Sequence, residues 1–138
     1  MSQRAARNGA KHRLDLEVNM TNEGGLDGTY RLLKNIMGLW LLQECRRTWA
    51  NQGEARSYAE WTEMAAGASP FCSVIDVDAG DFLKPGDMPE RIRAFCRRTG
   101  QAVPDDKGEL VRCILEGIAL KYRLLLECLE EMLGRRLE

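Results

Sequence analysis

Two side-chain amides in the most apolar run of the chain are candidates for ligand binding. Asn35 and Gln43 lie within Thr21–Arg47, which opens as a glycine-broken polar turn and closes as a nearly continuous apolar segment. A few polar groups among apolar side chains are typical of a binding pocket, where they fix the orientation of a ligand. Two structural interpretations stay open: Asn35 as a helix N-cap, and Gln43 as a polar residue on the exposed edge of a buried helix.

The other residues with chemical potential form weaker patterns. Glycines between residues 24 and 28 could bring backbone amides close to an anion, but before a strand-like segment they favour a tight turn. Asp76 and Asp78 have the spacing of metal ligands, but without an EF-hand glycine and terminal Glu they favour loop or capping carboxylates. The sequence contains no phosphate-binding loop, HExxH or GxSxG motif, and its single histidine, His12, has no catalytic partner in the pattern. These observations predict no catalytic residue and no metal site in this chain.

Five cysteines are spread among the helical patterns without the CxxC pairs that zinc and redox sites use. They are Cys45, Cys72, Cys96, Cys113 and Cys128. They predict reduced, mostly buried thiols in a cytoplasmic protein. The alternative is a bridge between Cys96 and Cys113, which fall on predicted helical faces flanking one short turn, although spacing alone does not establish disulfide geometry.

Composition and charge are those of an ordinary globular chain. Of the 138 residues, 44% are hydrophobic and 30% are charged, which argues against disorder. Lys and Arg number 20 against 21 Asp and Glu, so the net charge of -1 provides no field to recruit nucleic acid or an anionic membrane. No segment reaches the roughly 18 to 20 apolar residues of a membrane span, and the N-terminus lacks the apolar core of a signal peptide. We therefore expect neither nucleic acid nor a membrane as partner.

The elements that must position the amides begin with a predicted N-terminal β-hairpin. Residues 1–13 are basic and aperiodic, which predicts a disordered tail. Alternating apolar and polar residues predict a strand at Leu14–Met20, followed by a turn at Asn22–Gly28 and a second strand at Thr29–Leu33. Helix-favouring residues then predict a helix at Ile36–Ala50 that is deeply buried in its first two turns.

Arg46 and Arg47 are predicted to complement the helix dipole near the C-terminal end of this first helix. Ser57 and Glu60 have capping-box spacing and predict the start of a second helix. Residues 71–78 predict a short strand or an extended connector.

Two further helices follow, and the last is the longest. Asp87 is the predicted cap of a helix that ends near Arg98. The last helix is predicted to run from Asp105 or Asp106 to Gly134. Its apolar stripe comprises Leu110, Ile114, Ile118, Leu125, Leu129 and Met132, with Tyr122 alongside. Gly117, inside this helix, predicts close packing against a neighbouring backbone.

Five long stretches, in this order, resemble the rhamnulokinase branch of the FGGY carbohydrate-kinase family. They are TNEGG, GTYRLLKNIMGLWLLQECRR, FLKPGDMPERI, FCRRTGQAVP and ELVRCILEGIALKYR. The resemblance implies an α/β fold, because these kinases have two actin-like, ribonuclease-H-like domains that close over a cleft. Residues 14–138 resemble an α-rich part of the second, C-terminal domain.

The resemblance also implies an activity. Such kinases transfer the γ-phosphoryl group of ATP to the C1 hydroxyl of L-rhamnulose, with an aspartate as general base and Mg²⁺ neutralising the phosphates. Asn35 of the LKN motif matches the sugar-contacting asparagine, and Gln43 of WLLQ matches an ATP-contacting glutamine. The interval between the two spans about two helical turns, or about 12 Å along a helix axis.

The same resemblance places other parts of the site outside the chain. It implies that the general-base aspartate lies upstream and that a GGG-type nucleotide loop follows Glu138, so we expect these 138 residues alone to be largely inactive. Cys96 and Cys113 match positions that can be bridged in relatives, although a reducing cytoplasm opposes the bridge.

Two functions are therefore weighed. The first is a fragment of a rhamnulokinase-like sugar kinase that uses ATP and Mg²⁺. The second is a non-catalytic helical interaction module, which predicts a stable domain that binds neither ATP nor L-rhamnulose. A piece of an actin-like domain would expose apolar surface, so the first function also predicts self-association or marginal stability.

Overall fold

The computed structural model describes residues 21–24, 30–33 and 38–137. The predicted tail at 1–13, the predicted strand at Leu14–Met20 and Asn35 lie outside these residues.

Within the described residues, two short strands precede four helices. Strand β1 (Thr21–Gly24) pairs antiparallel with β2 (Tyr30–Leu33), and Thr21 stands opposite Leu33. Strand β2 overlaps the predicted second strand, whereas β1 covers residues assigned by prediction to the turn. The helices are α1 (Gly38–Asn51), α2 (Tyr58–Ala66), α3 (Met88–Arg98) and α4 (Lys107–Leu133), and a 3-10 turn occupies Gly80–Phe82.

The chain divides into two compact units, and α4 contributes to both. One unit is Ile36–Lys121, and the other combines Met1–Asn35 with Tyr122–Glu138. The first unit contains α1, α2, α3 and the first half of α4. It holds Gln43 and the side chains that surround it, whereas Asn35 belongs to the other unit.

The helix starts confirm the capping predictions. Ser57 Oγ accepts a hydrogen bond of 3.2 Å from the backbone N–H of Glu60, and Asp87 Oδ1 accepts one of 3.2 Å from the N–H of Glu90. Each bond satisfies a backbone donor that has no partner inside its helix. Helix α3 ends at Arg98, and Gly100 follows with a φ of +70°, a conformation that glycine adopts without strain.

The core of the Ile36–Lys121 unit lies between the buried faces of its helices. Its largest fully buried side chains are Trp61, Phe82, Leu41, Leu42, Met88, Ile92, Leu110 and Ile114. The prediction of all-round burial at the start of α1 is wrong, because Leu39 is 60% exposed. The predicted inward position of Tyr122 on α4 is also wrong, since that side chain is 61% exposed.

The segment Ser73–Val77 is an extended connector rather than a strand. Its side chains alternate between buried and exposed, as in a strand, and Ile75 and Val77 enter the core. The Gln101 side chain takes the place of a neighbouring strand. Its Oε1 accepts a hydrogen bond of 2.7 Å from the backbone N–H of Val74, and its Nε2 donates one of 2.8 Å to the carbonyl oxygen of Val74. The backbone of the connector is therefore satisfied by a distant side chain.

Gly117 of α4 packs directly against this connector. A Cβ added at Gly117 would lie 2.9 Å from the carbonyl oxygen of Ile75. The predicted close approach to a neighbouring backbone is confirmed.

Candidate functional site

Gln43 lies on the exposed face of α1 and lines a shallow hollow of about 260 Å³. Helical spacing places Arg46, Arg47 and Ala50 on the same face, three, four and seven residues further along. The opposite wall comes from the loop after α1, through Ala55 and Arg56. The hollow thus combines an amide, three guanidinium groups and two small side chains.

Arg46 is held by contacts with the loop after α1 and with α2. Its Nε and Nη2 donate to the carbonyl oxygen of Arg56 at 3.3 and 3.1 Å, and its guanidinium carbon lies 3.7 Å from the centre of the Tyr58 ring. The two contacts fix both the edge and one face of the planar group. They join the two walls of the hollow across the chain turn between α1 and α2.

The other two arginines have carboxylate partners. Arg47 donates to Glu44 at 2.6 Å, and this hydrogen bond raises the pKa of Arg47. Arg56 pairs with Glu54 at 3.0 Å. Glu54 also accepts from Lys107, and that hydrogen bond is the main reason why the pKa of Glu54 is lowered.

Aromatic packing connects α1, the helix that carries Gln43, to α2. Trp49 of α1 and Trp61 of α2 are both buried, and their ring centres lie 4.5 Å apart. Lys107 at the start of α4 lies 5.6 Å from the centre of the Trp49 ring. Trp49 therefore connects α1 both to α2 and to the start of α4.

Arg46 and Arg47 do not have the role predicted from the sequence. Helix α1 continues to Asn51 and carries no basic residue in its last turn, so the two arginines lie before the region where they would complement the dipole. Their spacing of three and four residues from Gln43 was the available signal for a shared surface. Arg56 could not be found this way, because its place depends on how the loop after α1 folds back.

The predicted role of Asn35 as a sugar contact stays a prediction, because Asn35 lies outside the described residues.

Cys96 and Cys113 are buried free thiols that lie next to each other. Cys113 Sγ lies 3.5 Å from the carbonyl oxygen of Ser73, and burial raises the pKa of the Cys113 thiol to about 12. Burial also raises the pKa of Cys45. A thiol with a raised pKa is a poor nucleophile near neutral pH, so Cys45 and Cys113 behave as small core side chains. The bridge between Cys96 and Cys113 stays a prediction.

Asp76 and Asp78 face a lysine. Lys121 Nζ lies 2.9 Å from Asp76 Oδ1 and 3.7 Å from Asp78 Oδ2, and Asp76 also accepts the backbone N–H of Asp78 at 3.0 Å. Among the described residues no group of three or more metal-ligating side chains comes together. The pair thus joins the connector to α4 through an ion pair.

A second hollow of about 250 Å³ lies beside the Cys72–Ser73 segment and was not expected from the sequence. Arg112 on its wall donates to the carbonyl oxygens of Ala65 and Ala68 at 3.2 and 3.0 Å. Glu116 accepts from Arg112 and from the backbone N–H of Phe71. The polar groups of this hollow hold the loop after α2, whereas the hollow beside Gln43 contains a residue predicted from the sequence to bind ligand and is therefore the candidate site.

Within the part of the chain that the structure describes, no helix has the length and apolar character needed to cross a membrane.

Comparison with known proteins identifies relatives along most of the chain. The profile of the FGGY family of carbohydrate kinases, C-terminal domain, matches residues 6–137. The match thus begins before Leu14, the predicted start of the domain.

Several curated relatives carry the same name. The rhamnulokinase of Bacteroides thetaiotaomicron is 48% identical over 121 residues, which cover 88% of this chain and 24% of that protein. The rhamnulokinase of Oceanobacillus iheyensis is 44% identical over 117 residues, covering 85% and 24%. That of Enterococcus faecalis is 46% identical over 118 residues, covering 86% and 23%. The chain therefore spans about a quarter of the length of the curated relatives it matches.

Proposed function

Because the chain belongs to the FGGY family of carbohydrate kinases and matches its C-terminal domain, we propose that it forms part of an ATP-dependent rhamnulokinase. The complete enzyme would convert L-rhamnulose to L-rhamnulose 1-phosphate. The observation that carries this proposal is the identity of 44 to 48% to several rhamnulokinases over more than four fifths of the chain. Residues 14–138 would then be an α-rich part of an α/β, actin-like domain.

Gln43 is proposed as a contact to ATP and Asn35 as a contact to the sugar. Support for Gln43 comes from its exposure on α1 and from its place in the hollow, whose wall also carries the guanidinium of Arg46. Support for Asn35 is the family resemblance of the LKN motif. These residues bind and orient the substrates, which is the main protein contribution in phosphoryl transfer.

Mg²⁺ would neutralise the phosphate charge during transfer. The carboxylates nearest the hollow do not fit this ion, because Glu44 is engaged by Arg47, and Glu54 by Arg56 and Lys107. No step through the metal is therefore assigned to the described residues. The general base is likewise expected outside this chain.

The free, mostly buried cysteines support a cytoplasmic location.

A chimeric enzyme tests the proposal. The matching quarter of the Bacteroides thetaiotaomicron rhamnulokinase is replaced by this chain, and ATP-dependent phosphorylation of L-rhamnulose is measured. We expect activity, with Gln43→Ala raising the KM for ATP and Asn35→Ala raising the KM for L-rhamnulose, each about tenfold or more, since a lost hydrogen bond to a bound substrate costs about 1.5 kcal/mol. Arg123→Ala, at an exposed position on α4, is the matched control.

A folded chimera without activity would contradict the proposal. So would Gln43→Ala and Asn35→Ala variants whose KM values equal those of the Arg123→Ala control.

A further inference from the structure

One face of the C-terminal half of α4 carries apolar side chains at alternating intervals of four and three residues. Tyr122, Leu126, Leu129 and Leu133 follow this spacing over about 16 Å of helix axis, and we call them the α4 seam. Tyr122, Leu126 and Leu133 are 61%, 45% and 49% exposed, and Leu129 is half-buried. Such alternating intervals define the a and d positions of a coiled coil, where each side chain packs into a hole on a partner helix. The α4 seam therefore has the pattern of a helix-pairing surface.

The charged residues beside the α4 seam select a partner and an orientation. Arg123 directly follows Tyr122 and Glu130 directly follows Leu129, so both lie along the same edge of the seam. In an antiparallel pair of α4 helices, Arg123 of each copy meets Glu130 of the other. In a parallel pair this edge would instead meet Leu125, which is buried within its own chain. We propose that the α4 seam binds the α4 seam of a second copy of this chain in antiparallel orientation, an inference that goes beyond the proposed function.

The antiparallel arrangement pairs the apolar residues without a gap. Tyr122 of one copy lies opposite Leu133 of the other, and Leu126 lies opposite Leu129. Because the same surface is used on both copies, the contact has twofold symmetry and closes at a dimer. Each apolar layer occurs twice, so a small seam buries all of its exposed side chains.

A hollow on the same face provides room for the partner side chain. It has a volume of about 660 Å³ and is lined by Tyr122 and Leu126 on the helix and by Arg136 and Leu137 in the tail that follows. The tail is held in place because the N–H of Leu137 donates to Glu130 Oε1 at 2.9 Å. Leu133 of the second copy, which lies opposite Tyr122, is the side chain that enters this hollow.

The two charged groups can form the contact without losing the bonds they already make. Arg123 Nε donates to Glu127 on the same helix at 3.0 Å, so the Nη groups remain to donate to Glu130 of the second copy. Glu130 uses Oε1 for the tail, so its Oε2 remains to accept. Exposed ion pairs add little affinity but do fix orientation. The apolar layers therefore supply the affinity, and the two ion pairs select the antiparallel arrangement.

Sedimentation velocity of the 138-residue chain over a range of concentrations tests the inference with a charge exchange. We expect a monomer–dimer equilibrium that ends at the dimer. Arg123→Glu and Glu130→Arg each place like charges at both contacts and should weaken the dimer about tenfold. An equimolar mixture of the two variants should associate as tightly as the unchanged chain, because both contacts of the mixed pair regain opposite charges.

Two leucines of similar exposure provide a matched pair of variants. Leu126→Glu places a charge in the α4 seam and should abolish the dimer. Leu124→Glu changes a leucine that is 49% exposed on the same helix but lies outside the seam, so it should weaken the dimer much less. Circular dichroism checks that both variants keep the helix content of the unchanged chain.

Three results would overturn the inference. The first is a monomer at every concentration. The second is a mixture of Arg123→Glu and Glu130→Arg that associates no more tightly than either variant alone, which excludes the antiparallel contact. The third is an equal loss of association in Leu126→Glu and Leu124→Glu, which would indicate general apolar attraction in place of the seam. The chimeric kinase is assayed at low enzyme concentration, where so small an interface is dissociated, so its result is independent of this one.

Discussion

Replacing Gly117 with alanine tests a close backbone approach in the core of the Ile36–Lys121 unit. The added Cβ would lie 2.9 Å from the Ile75 carbonyl oxygen and 3.2 Å from Cγ1 of Val77. Carbon–oxygen contacts usually begin at about 3.3 Å, so α4 or the connector must move. The connector has little freedom, because Gln101 bonds both backbone groups of Val74.

Two opposing effects set the magnitude of this change. Alanine is favoured over glycine inside a helix by about 1 kcal/mol. Overpacking a core costs about 1 to 3 kcal/mol, and the upper end applies here because the obstacle is backbone rather than a flexible side chain. We therefore expect Gly117→Ala to lower the free energy of unfolding by about 2 kcal/mol, which corresponds to roughly 6 to 10 °C in Tm for a chain of this length.

Urea unfolding followed by circular dichroism measures the effect. The matched control is Ala119→Gly at an exposed position of the same helix, where loss of helix propensity alone should cost about 1 kcal/mol. If Gly117→Ala instead raised the stability by about 1 kcal/mol, helix propensity would be acting alone. The close contact between α4 and the Ile75 carbonyl would then be refuted.

Three further predictions concern pH, thiol reactivity and association. The pKa of Glu54 is lowered by its hydrogen bond from Lys107, so the stability that Glu54 contributes is present above its unfolded pKa and is lost as the pH falls through the lowered value. Between pH 7 and pH 3 the free energy of unfolding measured in urea should therefore fall less in Glu54→Gln than in the unchanged chain. An equal fall in both proteins would contradict this. Iodoacetamide at pH 8 should label exposed Cys72 quickly and spare Cys113, which is buried and has its pKa raised to about 12. Mass spectrometry measures the labelling of each cysteine. Equal labelling of the two in the native protein would contradict the burial of Cys113. The exposed apolar side chains of the C-terminal half of α4 should promote self-association, which a concentration-independent monomer in sedimentation velocity would disprove. They are Tyr122, Leu124, Leu126 and Leu133.

Local features of the fold were predictable because their causes are local in the sequence. The caps at Ser57 and Asp87 depend on a side chain and an N–H only three residues apart, so the spacing is sufficient to find them. Gly117 was informative because glycine inside a strong helical pattern needs a packing reason. The role of Gln101 was not predictable, because its two bonds reach a segment 27 residues away in the chain.

In the candidate site, too, the local features could be predicted from the sequence and the contacts between distant residues could not. Gln43 could be selected as an unusual amide in an apolar run, and the spacing of Arg46 and Arg47 is also readable from the sequence. What the sequence does not contain is the state of each guanidinium: Arg47 is neutralised by Glu44, whereas Arg46 is held between a tyrosine ring and a backbone carbonyl supplied by the next loop. A run of positive residues therefore does not by itself indicate phosphate binding. The partners of each cation decide how much charge it offers to a ligand, and here Glu44 and Glu54 already pair with Arg47 and Arg56.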